Sequence, residues 1–168
     1  ANTMPAPYYR FDGSNDEILA GDISATTGDI YSGYVRFYTE DAISQATTGQ
    51  ALISIGGAND GYIYLGILTG SFANEIITVG GGSNSSRWAH ATDSIPAGWN
   101  TIAYSWDGSK YQIYLNGIAK TTSTYGTPVL IDADDMSIGS WNGASFFNGQ
   151  ISDVKLYNVA LTATEVKE

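Results

Sequence analysis

The 168 residues carry 17 acidic against 7 basic side chains, a formal net charge of −10, and no cysteine. Nucleic acid is a poor partner for such a chain, because its affinity rests on Lys and Arg neutralising phosphates, and anionic membrane surfaces are disfavoured on the same ground. The missing cysteine excludes a disulfide scaffold, a thiolate metal site and a cysteine nucleophile, while the length suits one domain able to bury a core without such staples.

Short β-rich runs, separated by Gly, Asn, Asp or Ser, follow one another along the chain, a spacing that points to an antiparallel sandwich rather than strand-helix-strand units. The predicted strands are Tyr8–Phe11, Ile30–Tyr38, Ala51–Ile55, Tyr62–Leu68, Glu75–Val79, Arg87–His90, Asn100–Trp106, Tyr111–Leu115, Met136–Ile138 and Gln150–Tyr157. Asp107-Gly108 joins two of them as a hairpin turn, since both residues tolerate positive φ, and Asn116-Gly117 repeats that signal. Only the tail Leu161–Val166 suits a helical turn. No repeat and no long linker divides residues 1–168, so one domain is expected.

No apolar run approaches the roughly 20 residues that cross a bilayer. The start, Ala1-Asn2-Thr3-Met4-Pro5, lacks the basic and apolar regions of a signal peptide. The expectation is a soluble chain without membrane insertion, mature or excised from a longer one.

Alternation separates two faces. Val35 and Phe37 alternate with Tyr34, Arg36 and Tyr38; Ile63, Leu65 and Ile67 with Tyr62, Tyr64 and Gly66; Tyr111, Ile113 and Leu115 with Gln112 and Tyr114. The apolar sets belong between the sheets, where each fully buried Ile or Leu contributes about 1.5–3 kcal/mol. The tyrosine-bearing sets then lie on an outer face.

Several segments resemble one family, in that family's order. Phe11–Ile18 (FDGSNDEI) resembles the opening strand and turn of laminin G-like jelly rolls. Trp99–Gly108 (WNTIAYSWDG) resembles their W-x-x-V-A-x-x-Y-D-G strand, and Tyr114–Gly117 (YLNG) the strand end that follows. Ile138-Gly139-Ser140, Phe147–Asn158 (FNGQISDVKLYN) and Ala160–Glu165 resemble the closing strand and tail. The resemblance covers nearly the whole chain, although Ile30–Gly98 matches only as generic strands and Phe37-Tyr38 stands where the family usually carries a tryptophan. It implies a concanavalin A-like jelly roll, two antiparallel sheets in a sandwich, and speaks to fold more than to ligand.

Relatives with this fold include glucanases, so catalysis needs a direct test. The laminarinase pattern Glu-x-Asp-x-x-Glu, whose chemistry requires two carboxylates about 5–5.5 Å apart, is absent. The cluster Asp132-Ala133-Asp134-Asp135 reads as a solvated turn. His90 is the only histidine, sits in no Gly-x-Ser-x-Gly context, and reads as a strand-surface residue beside Trp88. Gly80-Gly81-Gly82-Ser83 precedes no helix and carries no lysine, so it is a hairpin loop rather than a phosphate cradle. No enzyme is expected.

The resemblance also implies a calcium ion (Ca2+) where the first and last strands meet, with Asp16 and Asp153 as ligands and carbonyls near Gly13 as partners; calcium takes oxygen ligands of this kind. For ligand binding, aromatic rings stack on the apolar faces of sugars while neighbouring polar groups hold the hydroxyls. Trp99 and Trp106 read as structural. Trp141, in a turn between Gly139 and Gly143, has no evident core to fill and is the first candidate. Trp88, Tyr62, Tyr64, Tyr114 and Arg36 complete the candidate set. The sequence thus points to a carbohydrate-binding or adhesion module of an extracellular, cell-surface or virion protein, taking glycan or a surface protein as partner. A structural interaction domain of a phage or capsid appendage is the alternative, and an unusual glycan-active enzyme a third. Asn84-Ser85-Ser86 is an N-glycosylation string of the kind that arises often by chance.

Overall fold

A computed structural model describes residues 7–23, 32–44, 49–55, 63–67, 77–80, 88–107, 109–120, 123–125, 135–141 and 143–167; for 63–67, 77–80, 88 and 123–125 it describes the backbone alone. The strands are β1 (Tyr9–Asp12), β2 (Ile18–Asp22), β3 (Ser32–Thr39), β4 (Gln50–Ile55), β5 (Ile63–Ile67), β6 (Ile77–Gly80), β7 (Trp88–Ala91), β8 (Gly98–Trp106), β9 (Tyr111–Leu115), β10 (Ile118–Ala119), β11 (Ser123–Tyr125), β12 (Asp135–Ile138) and β13 (Asn148–Tyr157). Glu165–Lys167 forms a 3-10 turn. The strands make two antiparallel sheets, a six-stranded one in the order β1-β13-β3-β8-β9-β10 and a seven-stranded one in the order β11-β7-β6-β5-β4-β12-β2. This is the expected jelly-roll sandwich.

The two-residue period sorts β3 as its sequence implies: Val35, Phe37 and Thr39 are buried, while Tyr34, Arg36 and Tyr38 are half-buried on the other face. Ile102, Tyr104 and Trp106 of β8 and Tyr111, Ile113 and Leu115 of β9 meet Leu52, Ile53, Ile55, Ala89, Ala91 and Met136 of the opposing sheet in one core. Aromatic edges lock it, with Tyr104 and Trp106 lying 5.7 and 4.8 Å from Tyr111, ring centre to ring centre. Phe11, Phe37 and Phe147 form a second aromatic knot at the far end.

The turn after β8 is closed by the Asp107 side chain rather than by a positive φ at Asp107, and Gly108 lies outside the described residues. The Asp107 carboxylate accepts the Ser109 and Lys110 N–H groups and the Ser109 hydroxyl, hydrogen bonds that hold its pKa below the ordinary value. Asn116 and Gly117 take φ of 52° and 71°, the left-handed pair of a tight hairpin between β9 and β10. The tail folds back over the six-stranded sheet. There Val166 and Leu161 pack on Ala103, Tyr114 and Tyr34. Ser105 donates to the Leu161 carbonyl, and the Leu161 N–H donates to Ser32. Thr162 and Glu165 then cap one another reciprocally.

Two expectations are corrected. β2, β10 and β11, which the sequence pattern does not announce, are all edge strands; with a neighbour on one side only, they need less of the two-sided patterning that marks inner strands. His90 is not a surface residue. It is 1% exposed on β7, opposite Thr78 and Ser123, and burial lowers its pKa to about 4.

Two predictions follow from this packing. Gly139 takes φ of +82°, and a Cβ there would lie 2.2 Å from the Phe11 ring. Gly139→Ala should therefore lose about 2–5 kcal/mol of stability in urea denaturation, from left-handed strain plus overpacking. For His90, the folded pKa lies below the unfolded one, so the unfolded chain binds the extra proton between about pH 4 and 6.5. Its contribution is complete above pH 6.5 and is lost as pH falls toward 4. A stability–pH profile of His90→Gln should be flatter than wild type across that window, by about 2–3 kcal/mol in total.

Candidate functional site

Residues directly opposite in an antiparallel ladder share a face. Arg10 of β1 faces Gln150 of β13, Gln150 faces Tyr38 of β3, and Tyr38 faces Trp99 of β8. The register therefore lays a guanidinium, an amide, a phenol and an indole in one row across the outer face of the six-stranded sheet. Four strands at about 4.8 Å spacing make that row roughly 14 Å long.

Trp99 anchors one end and is 38% exposed. Its ring meets Tyr8 at 5.9 Å and Tyr38 at 5.6 Å, both edge-inclined. The Arg36 guanidinium lies 4.3 Å from the ring centre, a cation–π contact. Arg36 also donates to the Ser152 hydroxyl, which in turn donates to the Asp153 carboxylate. Beneath the tryptophan, the buried Asn100 amide donates to the Pro96 and Gly98 carbonyls and accepts from Asn116, whose own oxygen takes the Thr101 N–H. Thr39 donates to the same Pro96 carbonyl. The indole thus stands on a turn whose polar groups are satisfied from below, which fixes the ring before any ligand arrives.

From Tyr38 to Arg10 the row borders a groove of about 400 Å3, lined also by Glu40, Asp41, Gln50, Asn148 and Gly149. That volume lies within the range of small-ligand sites, about 300–1,000 Å3. Gln50 accepts the Asn148 N–H and so ties the start of β4 to the start of β13. Gly149 is required here: a Cβ would lie 2.3 Å from the Tyr38 carbonyl. A second cavity of about 430 Å3 lies under the tail, between Tyr34, Asn116, Ile118 and Lys167. It is the weaker candidate, since both ends of the Asn116 amide are already engaged within the protein.

The residues singled out from sequence are dispersed by this fold. Arg36 stands in the aromatic face. Tyr114 is on the same sheet but 6% exposed, roofed by Val166 and Leu161, so it is a packing residue and not part of an outer patch. Tyr64 lies on β5 of the other sheet, opposite Ser54, so Tyr64 and Arg36 cannot share one patch. Trp88 opens β7 opposite Gly80 and Tyr125, with only its backbone described. Tyr62 lies outside the described residues. Trp141 does occupy a tight turn, exchanging both backbone hydrogen bonds with Ala144, yet its ring is half-buried rather than presented to water.

The proposed calcium ligands are separated as well. The Asp16 carboxylate accepts the Asp12 N–H, and Asp12 accepts those of Ser14 and Asn15, so the turn around Gly13 is closed by its own hydrogen bonds. Asp12 pairs with Asn148, whereas Asp153 lies further along β13 opposite Arg36. At about 3.3 Å per residue the two stations are on the order of 15 Å apart, well beyond two calcium bonds of about 2.5 Å each. Asp16 and Asp153 do not fit one shared ion. Tyr8, Arg10, Tyr38 and Trp99 are the surface residues missing from the sequence-derived set. Tyr38 was visible as the third member of the Tyr34, Arg36, Tyr38 alternation, but its register with Trp99 is a long-range property.

Solved structures of the same fold include domain 4 of AbnA, a GH43 extracellular arabinanase from Geobacillus stearothermophilus in complex with arabinotriose. It is 23% identical, with a TM-score of 0.69 over 95% of this chain and 74% of that one. The CBM40 of the Ruminococcus gnavus IT-sialidase, bound to α2,3-sialyllactose, is 16% identical with a TM-score of 0.62 over 95% and 96%. A heptameric SAP-like pentraxin from Limulus polyphemus is 17% identical with a TM-score of 0.61 over 94% and 78%. No curated protein matches the sequence. The Laminin_G_3 family model matches residues 12–167, and the chain accordingly belongs to the concanavalin A-like lectin/glucanases superfamily.

Proposed function

We propose that this chain is a non-catalytic carbohydrate-binding module of a secreted or surface protein, and that it holds its sugar on the outer face of the six-stranded sheet. The observation that carries the reading is the row Arg10–Gln150–Tyr38–Trp99 leading into the groove. Sugar rings need an aromatic surface for their C–H faces and a mixture of donors and acceptors for their hydroxyls, and the row supplies both. The arabinotriose and sialyllactose bound to two proteins of the same fold support a glycan as ligand, and the extracellular origin of the first supports a secreted or surface location.

A binding role accords with what the described residues offer. The single histidine is buried and neutral at physiological pH, which removes it from proton transfer at the surface. The groove carries the means to hold a ligand, stacking rings and exposed polar side chains. Calcium is a separate proposal. With the Asp16 carboxylate held at the Asp12 end of β1 and Asp153 further along β13, a bound ion would use one of them without the other.

Trp99→Ala should weaken binding to whichever glycan an array selects by about 1–3 kcal/mol in titration calorimetry, as anchor residues do. Trp141→Ala, by contrast, should act mainly on the denaturation midpoint, because its ring is half-buried. Full binding by Trp99→Ala beside a binding loss in Trp141→Ala would move the site to the Gly139–Gly143 turn. For the metal, any melting shift between excess calcium and EDTA should be abolished by at most one of Asp16→Asn and Asp153→Asn; a shift abolished by each of them singly would restore the shared ion.

A further inference from the structure

Charge and length at the site narrow the ligand class, an inference that rests on the carbohydrate-binding reading above. Among the described residues, the side chains of Arg10, Glu40, Asp41, Asn148 and Gln150 make no hydrogen bond or ion pair within the protein, although all line one groove. Arg36, the neighbouring cation, is already committed to the Trp99 ring and the Ser152 hydroxyl. The groove therefore offers two carboxylates against one guanidinium, on a chain whose net charge is −10.

An anionic sugar entering there would place its carboxylate beside Glu40 and Asp41, and like charges brought together at an interface cost binding. A sugar hydroxyl suits the same groups without that cost. It donates to a carboxylate, accepts from a guanidinium, and does either with the amides of Asn148 and Gln150. Arg10 and Trp99 lie at opposite ends of a row roughly 14 Å long, with Tyr38 and Gln150 of the same groove between them. One ring cannot reach both. We infer that the site takes a neutral oligosaccharide, laid across the strands from the Trp99 platform into the Arg10–Glu40–Asp41 groove.

The test is calorimetric titration of the whole chain with neutral trisaccharides (arabinotriose, cellotriose, xylotriose, laminaritriose and N-acetylglucosamine trimer), with their monosaccharides, and with three charged probes. The charged probes are tri-galacturonate, sialyllactose and glucosamine trimer. At least one neutral trisaccharide should bind on the order of tenfold or more tightly than its monosaccharide and than either acidic probe. The disadvantage of the acidic probes should shrink with added salt, and in the Glu40→Gln, Asp41→Asn double variant. Trp99→Ala and Arg10→Ala should each lower affinity for the trisaccharide while leaving the monosaccharide less affected.

Other outcomes overturn the inference at different levels. Tighter binding of an acidic probe, lost in Trp99→Ala, would leave the glycan site in place and refute the neutral class. Glucosamine trimer binding better than its N-acetylated counterpart would refute it in favour of a cationic sugar. A trisaccharide that binds no better than its monosaccharide would refute the transverse pose. No binding across the whole panel, with the chain folded by circular dichroism, would sink the carbohydrate reading itself.

Discussion

Close backbone approach at two glycines sets the register from which the outer face follows. A Cβ on Gly139 would strike the Phe11 ring, and one on Gly149 would strike the Tyr38 carbonyl and the Phe147 ring. These contacts seat β1 and β13 beside β3, with the Phe147 ring tilted against Phe11 and edge-to-face with Phe37 below. Because side chains alternate with a period of two, a slip of one residue would exchange the two faces completely. The aromatic knot inside and the Arg10–Gln150–Tyr38–Trp99 row outside are thus two consequences of one register.

The same sheet also shows how an outer face is divided between stability and access. Its tyrosine-bearing positions are too apolar to be left wholly in water, and the tail covers one half by laying Val166 and Leu161 over Tyr114 and Ala103. Lys155 stacks over Tyr34 at the margin, 5.2 Å from the ring centre. Among the described residues the other half has no such roof. There the Arg36 guanidinium covers part of the Trp99 ring and donates to the Ser152 hydroxyl. A partly covered ring of this kind is stable alone yet still open to a stacking partner.

The faces of β3 and β9 were legible in the sequence from their alternation. Val35 and Phe37, and Tyr111, Ile113 and Leu115, face the core as the pattern says. Turn positions were equally plain at Asp107 and at Asn116-Gly117. What could not be read was anything that depends on which strands become neighbours. Tyr114 reads as surface until the tail, some fifty residues later, is known to lie on it. Trp99 reads as structural until Tyr38 and Arg36 are known to flank it. Asp16 and Asp153 look like partners because the family brings first and last strands together, and that is true of β1 and β13. The strands are adjacent, but Asp16 sits in the turn beyond the Asp12 end of β1, while Asp153 lies further along β13. His90 misled for a related reason: alternation tells which face a strand residue takes, not how deeply that face is covered.

Rigidity beneath Trp99 has an energetic meaning for recognition. A glycan contributes many weak contacts, each of which must exceed the entropy lost when a side chain is immobilised, about 0.5–1.5 kcal/mol for a flexible group. Trp99 is spared part of that cost because Asn100 and Thr39 fix its turn through the Pro96 and Gly98 carbonyls, and Asn116 holds the Asn100 amide in place. Arg10, Glu40 and Asp41 are not fixed in this way, and would have to be ordered by the ligand. A short sugar lying on the platform alone would gain stacking without that ordering cost but also without specificity. One that reaches the groove accepts the cost in exchange for directional hydrogen bonds. Selectivity among neutral sugars is therefore expected to reside at the Arg10 end of the row, and the larger share of affinity at the Trp99 end.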